Sequence, residues 1–427
     1  MTTMTLIRGV GRAVLAGSLS IIAVTGLLAA GIVSATAASP APNAAGPSPR
    51  MARPTAAAIT VAVVLGASGT DTADALAPFE VFASSRAVSV YTVAASTAPA
   101  SLGSGLAIVP DHTFAEIGDG TLASPDLVVV PAVERPDGTE EAATRDFVAG
   151  AYGRGARVLG VCSGARLLAA SGILDGHRAT SHWSRLGALR GSRPQVQWLN
   201  GVRYVQDGRI TTTAAVSSGI PGALRVLADL AGAAEAERVG RLIDYPGWQP
   251  GQATAIPAQK FGVDDLGVLT NLVLPWGRPA IDVQLRDGVG EIDAAALFEV
   301  YSYSQAAGAS AVSSTGTVVT RHGLTLRTAV AQPAADRPGL IAGQLRSHTG
   351  RGGFDAAFEQ LSRDTSPAVV QSVAKMLEYP LDRVGPQPPS VAATWRTPML
   401  LAAGALVAIA AGSLPYLLRR RRRAKRH

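Results

Sequence analysis

The sequence predicts an α/β sandwich built on a mostly parallel sheet, and three observations carry that prediction. Ile59-Thr-Val-Ala-Val-Val-Leu-Gly66 and Leu127-Val-Val-Val-Pro131 are short unbroken apolar runs, as expected of strands covered on both faces. Segments of helical character lie between the strands, as parallel crossovers require. A further apolar run, Ala156 to Gly160, passes through Gly160-Val-Cys-Ser-Gly164 into a helix with Leu167, Leu168 and Ala170 facing inward. The pattern G-x-C-x-G at a strand-to-helix turn is that of a nucleophile elbow, with a thiol in place of the more familiar hydroxyl. The flanking glycines, Gly160 and Gly164, permit the tight turn. The helix start directs N–H groups at the sulfur, which favours thiolate. A buried structural cysteine is the competing reading of Cys162.

Composition bounds the rest. The 427 residues suffice for two domains, and charged residues are sparse at 16%. The formal charge of +7 comes from the C-terminal tail, where Arg419 to Arg423, Lys425 and Arg426 supply seven positive charges. The body is therefore neutral and offers no footprint for nucleic acid. One cysteine excludes an internal disulfide. Neither metal nor cofactor is expected.

Both ends look membrane-directed. Residues 1–38 carry Arg8 and Arg12 ahead of an uncharged stretch long enough to span a bilayer, followed by Ala35-Thr-Ala37. A signal peptide and a retained anchor both fit. Residues 39–57 are rich in Pro and Ala and read as a linker. Near the other end, 398–418 contains the uncharged run Met399 to Leu418, about the ~20 residues a spanning helix needs. The basic residues of 419–427 behind it place the C-terminus in the cytoplasm and the body outside the cell membrane.

Within the body, 58–250 forms the first domain. After the strand at Ile59, Asp74 to Ser84 reads as a helix, Ser89 to Ala95 as a strand, and Glu140 to Tyr152 as an amphipathic helix before the elbow. Val202 to Gln206 and Arg209 to Ala215 flank Asp207-Gly208 as a hairpin. Pro221 to Leu230 and Glu235 to Ile243 read as helices. Residues 251–385 echo this domain. Asp74-Ala-Leu-Ala-Pro-Phe-Glu-Val-Phe82 recurs as Asp293-Ala-Ala-Ala-Leu-Phe-Glu-Val-Tyr301, and Arg241-Leu-Ile-Asp-Tyr-Pro246 as Lys375-Met-Leu-Glu-Tyr-Pro380. Such self-similarity suggests duplication. Leu266 to Leu274 reads as the strand preceding the second copy. That copy lacks an elbow and a cysteine, so it is expected to be truncated and catalytically empty, packed against the first.

With these residues assembled, the chain resembles the DJ-1/PfpI superfamily, whose fold is flavodoxin-like and shared with class I glutamine amidotransferases. The resemblance rests on Gly160-Val-Cys-Ser-Gly-Ala165, Gly172-Ile-Leu-Asp-Gly176, Arg178-Ala-Thr-Ser-His-Trp183 and the Asp74 segment with Pro78 and Glu80. It is nearest to isonitrile-hydratase-like members and to the sensor domains of AraC-type regulators. It implies Cys162 as nucleophile or redox-sensitive thiol and Asp74 as its acidic partner, acting as general acid or base. It also implies backbone N–H groups of Ser163 and Gly164 at an oxyanion site, and His182 as a pocket candidate or a structural histidine.

Departures from the family pattern qualify the chemistry. Ser163 stands where the family's proteases carry histidine, which disfavours peptidase activity. Ala132-Val133 replaces a common Gly-Gly beside the reacting group, and Pro221 a common acidic residue. No helix-turn-helix module follows, which excludes a transcription factor of the AraC type. The expectation is an envelope-anchored protein whose Cys162 attacks a small electrophilic substrate, as a hydratase or amidase does. The alternatives are a non-catalytic ligand-binding domain and a thiol sensor.

Overall fold

The computed structural model describes residues 59–273, 278–331 and 338–383. The terminal apolar stretches, the linker and the basic tail lie outside them. Among the described residues no helix is long and apolar enough to cross a membrane.

The first unit begins with β1 (Ile59–Val64), α1 (Thr72–Ala83) and β2 (Val88–Ala94). A hairpin of β3 (Ala100–Gly103) and β4 (Leu106–Ile108) leads to β5 (His112–Thr113), α2 (Phe114–Gly118) and β6 (Leu127–Val130). Next come α3 (Ala142–Gly153), the elbow strand β7 (Arg157–Gly160) and α4 (Gly164–Ala170). Two short strands, β8 (Arg178–Ala179) and β9 (Gln197–Trp198), flank α5 (Trp183–Ser192). The hairpin β10 (Tyr204–Asp207) and β11 (Ile210–Thr213) precedes α6 (Val216–Ala231) and α7 (Ala233–Leu242). The main sheet runs β10-β11-β7-β6-β1-β2-β5. All of its pairings are parallel except the β10–β11 hairpin at one edge.

Alternation along β1 explains how the sheet is covered. Val61 and Val63 face one core with Leu76, Phe79 and Leu224, whereas Ala62 and Val64 face another with Phe147, Leu167 and Leu168. Asp71 starts α1 by accepting from the Asp74 N–H at 3.1 Å. Helix α6 begins at Val216, five residues before the expected start at Pro221, with Pro221 inside it.

The second unit contains α8 (Leu266–Val273), β12 (Ala280–Gln284), α9 (Glu291–Ser304), β13 (Gly308–Ser313), β14 (Thr317–Val319), β15 (Thr325–Arg327), β16 (Ala329–Val330) and β17 (Gly339–Ile341). It closes with α10 (Gly353–Asp364) and α11 (Pro367–Leu377). The segment read as a strand from Leu266 is thus helical. The Asp265 carboxylate accepts from the Gly262 N–H at 2.8 Å just ahead of that helix, and Leu266 and Leu269 point to solvent. The strand lies further on, at β12, where buried Ile281 and Val283 alternate with more exposed neighbours. Its all-parallel sheet runs β16-β13-β12-β17, the same order as β5-β2-β1-β6 in the first unit.

The two units meet across a local two-fold relation. Strand β4 pairs antiparallel with β15, joining both hairpins into one sheet, β14-β15-β4-β3. Helix α1 packs on α9. Glu80 of α1 accepts from the Ile292 N–H at the start of α9 at 2.6 Å. Its sequence counterpart Glu299 of α9 hydrogen-bonds the Ala73 N–H at the start of α1. Each helix therefore places a buried carboxylate on the positive end of the other, where both the dipole and free N–H groups favour it. Such reciprocity is the mark of an isologous contact. The core facing Val61 is continuous with that of the second unit through Phe298, Tyr301 and Phe358.

Candidate active site

Cys162 sits between β7 and α4 at φ +52°, a left-handed conformation rare for a residue with a β-carbon. The strain is held from both sides. The Cys162 N–H donates to Thr213 Oγ1 at 3.1 Å, and Ser181 Oγ donates to the Cys162 carbonyl at 3.1 Å. The glycines act through space. A β-carbon on Gly164 would lie 2.0 Å from the Val130 carbonyl oxygen, and one on Gly160 would lie 2.6 Å from Leu168 Cδ1. Gly164 lets α4 approach β6 so closely that the thiol emerges at the carboxyl end of the sheet, where open α/β folds bind ligands.

Asp74 is fully buried on α1. Its Oδ2 accepts from the Ala132 N–H at 3.1 Å, and its Oδ1 has no hydrogen-bond partner. Glu299 reaches the same place from the second unit. It lies close enough to Asp71 for their carboxyls to interact, and its Oε1 is likewise unpartnered. Burial, followed by repulsion from Asp71, pushes Asp74 and Glu299 well above the ordinary carboxylate range. Each gives up its proton less readily than a free carboxyl and, once ionised, adds negative charge around the thiol.

Asp71 and Glu299, but not Asp74, line a cavity of about 320 Å³, together with Leu102, Ala132 and Cys162 from the first unit and Phe298 and Tyr303 from the second. The second unit thus forms part of the wall around the sole cysteine. The thiol does not follow the sequence expectation of a depressed pKa. Burial pushes it well above its usual value, and the charges of Asp74 and Asp71 add to the rise. The helix start opposes this only weakly, through the Ser163 N–H hydrogen-bonded at the sulfur. At rest the nucleophile is a thiol.

The other expected site residues divide. Ser163 lines the cavity. The Gly164 N–H is taken by the Val161 carbonyl at 2.7 Å, so Gly164 serves packing and not an oxyanion. The Ala132 N–H, engaged by Asp74, is also unavailable. His182 does not line the cavity. It caps α5, with Nδ1 2.8 Å from Ser184 Oγ and Nε2 2.8 Å from the Met376 carbonyl. Burial drops its pKa to about 4, so the ring is neutral and ties α5 to the second unit. Pro221, buried inside α6, is not among the cavity residues. Asp71, Glu299, Tyr303 and Arg166 escaped the sequence reading. Only Glu299 had a signal there, as the partner of Glu80 in the internal echo.

One cluster has the donor set of a metal site. Glu80, Glu291 and His322 bring ligand atoms within 4.8 Å of one another. Their lone pairs are already occupied. Glu80 holds Arg321 at 3.0 Å and the Ile292 N–H, while Glu291 holds Thr320, the His322 N–H and His322 Nδ1 at 2.8 Å. A guanidinium in contact with the cluster opposes a cation, so these residues form an ion network and do not fit a metal.

Fold and site together define an α/β protein with a cysteine at a strained strand-to-helix elbow and an acid beside it. Residues 60–228 match the DJ-1/PfpI family, and through this unit the chain belongs to that family. Among similar proteins is an isonitrile hydratase of Pseudomonas putida, 29% identical over 180 residues, 40% of this chain and 72% of the relative. Similar solved structures include a THiJ/PfpI family protein from Pseudomonas syringae, at 30% identity, 46% and 81% coverage and a TM-score of 0.39. A DJ-1 superfamily protein from Salmonella typhimurium follows at 25% identity, 44% and 99% coverage, and a TM-score of 0.39.

Proposed function

We propose that the chain is a cysteine-dependent hydratase or amidase-like enzyme for a small electrophile, with Cys162 as nucleophile and Asp74 as proton carrier. The observation that carries this reading is the placement of a proton-holding, half-satisfied Asp74 and a strained Cys162 in one buried site. Hydration of an isonitrile, the reaction in the name of the relative from Pseudomonas putida, illustrates the proton balance. Cys162 Sγ bonds to the terminal carbon, and a proton reaches that carbon through Asp74 while the thiol proton replaces it, giving a thioimidate. Water adds to the same carbon, the C–S bond breaks, and the sulfur regains its proton as the formamide leaves. A buried, protonated resting site suits this cycle because no charge need be stored between turnovers.

The second unit is a degenerate copy that takes the place of a partner subunit, a reading supported by the repeated strand order and the reciprocal glutamates. The apolar runs at 1–38 and 398–418, with the basic tail, support anchoring in the cell membrane with the body outside. The alternative is a ligand-binding domain without turnover. It is favoured by one observation: the N–H groups of Ala132 and Gly164 are both engaged and cannot stabilise an oxyanion.

The test is conversion of a small alkyl isonitrile to its formamide, followed for the wild type, Cys162→Ser and Asp74→Asn. Turnover lost in both variants is the expected result. A wild-type protein without turnover, in which the same isonitrile slows alkylation of Cys162, would replace the enzyme by the binding domain.

A further inference from the structure

We propose that the ligand of the Cys162 cavity is an anion, bearing a carboxylate or phosphate group held by Arg166 and Arg185; this rests on the reading of that cavity as the substrate site. Arg166 lies one turn beyond the nucleophile on α4, half-buried, and Arg185 lies on α5. Both line the Cys162 cavity, and both also line an adjoining chamber of about 470 Å³ walled by Asp137, Leu189, Ser192 and Arg193. The two spaces therefore share a wall that includes half-buried Arg166 and exposed Arg185.

The charges there are unbalanced. Asp137 is committed to Arg193, with Oδ1 2.6 Å from Nη2. Among the described residues no carboxylate lies within ion-pair distance of Arg166 or Arg185. Burial and the neighbouring Arg185 charge both depress Arg166, offset in part by Asp137. The acids facing the pair across the inner cavity are Glu134 at the exposed rim and Asp71 and Glu299 deeper in, with Asp74 behind them; burial raises the pKa of all three deeper acids. Two like charges side by side without a counter-ion cost free energy, which a planar oxyanion binding both guanidinium forks would recover. The inner end has the opposite need. The Glu299 Oε1, which lines that end without a hydrogen-bond partner, calls for a polar group on the part of the ligand beside Cys162. The molecule that satisfies both ends is short, with an electrophilic carbon and a hydrogen-bonding group within and an anionic group outward.

The experiment compares alkylation of Cys162 by iodoacetate and by its neutral analogue iodoacetamide, at low salt, as a ratio of rates referred to the same ratio for N-acetylcysteine. A ratio raised about tenfold, as focusing by a charged cleft gives, and returned to the reference in the Arg166→Gln/Arg185→Gln variant is expected. Because a ratio is read, a general change in thiol reactivity cancels. A wild-type ratio at or below the reference, or one the double variant leaves unmoved, overturns the anion site. If neither reagent modifies Cys162, the nucleophile reading fails. The anion site is then decided by calorimetric titration of malonate and malonamide into wild type and double variant. Binding of malonate alone, and only to the wild type, sustains the site, and any other pattern overturns it.

Discussion

Replacing Glu80 by Gln tests the joint between the units through its dependence on pH. Glu80 is buried, and burial together with the nearby Glu291 raises its pKa from 4.5 to about 7, against the opposing pull of the Ile292 N–H and Arg321. The folded state thus binds the proton more tightly than the unfolded chain. Its contribution is complete below the unfolded value and is lost as pH rises through about 7. At about 1.4 kcal/mol per pH unit, that single group removes up to about 3 kcal/mol between pH 5 and 8. Asp74, Glu299 and His322 are raised as well and act in the same direction. Glu291 is lowered, and its contribution is lost only at more acid pH. The protein should therefore be most stable in mild acid and weaken through neutrality. Urea unfolding at pH 5, 6, 7 and 8 measures the slope, and the difference between wild type and Glu80→Gln isolates the one carboxyl. Parallel curves for the two proteins across that range would refute the assignment of the raised pKa to Glu80.

Gly164→Ala forces a β-carbon to within 2.0 Å of a backbone oxygen that no side-chain rotation can move. A loss of at least ~3 kcal/mol is expected by denaturant unfolding, at the top of the range for overpacking. Asp74→Asn removes one of the charges that raise the Cys162 thiol. The pH midpoint of iodoacetamide alkylation should move down, and a midpoint that moves up would contradict the placement of Asp74. His182→Ala removes the α5 cap and the bond to Met376, at a cost of about 1–2 kcal/mol. The alkylation profile of Cys162 should stay where it was, since His182 does not line the cavity.

Much of the first unit was legible because its strands are buried on both faces and therefore read as unbroken apolar runs. The elbow was legible because Gly160 and Gly164 bracket a single thiol. Leu266 to Leu274 misled for the same reason: an apolar run of that length fits a strand as well as a short helix. The direction of the Cys162 shift was not legible. It depends on how many carboxyls gather in three dimensions, and Glu299 lies far along the chain. Nor could spacing alone reveal that the Ala132 and Gly164 N–H groups were already engaged.

The self-matched pairing of β4 with β15 and the exchanged glutamates place two related halves on one polypeptide. In an assembly of identical subunits any substitution appears at both centres, so neither can change without the other. Here the centres have parted. At one, Glu299 faces a thiol across an open cavity. At the other, Glu80 is held by Arg321 beside the paired Glu291 and His322. One unit thus carries the thiol, and the other supplies part of the wall around it.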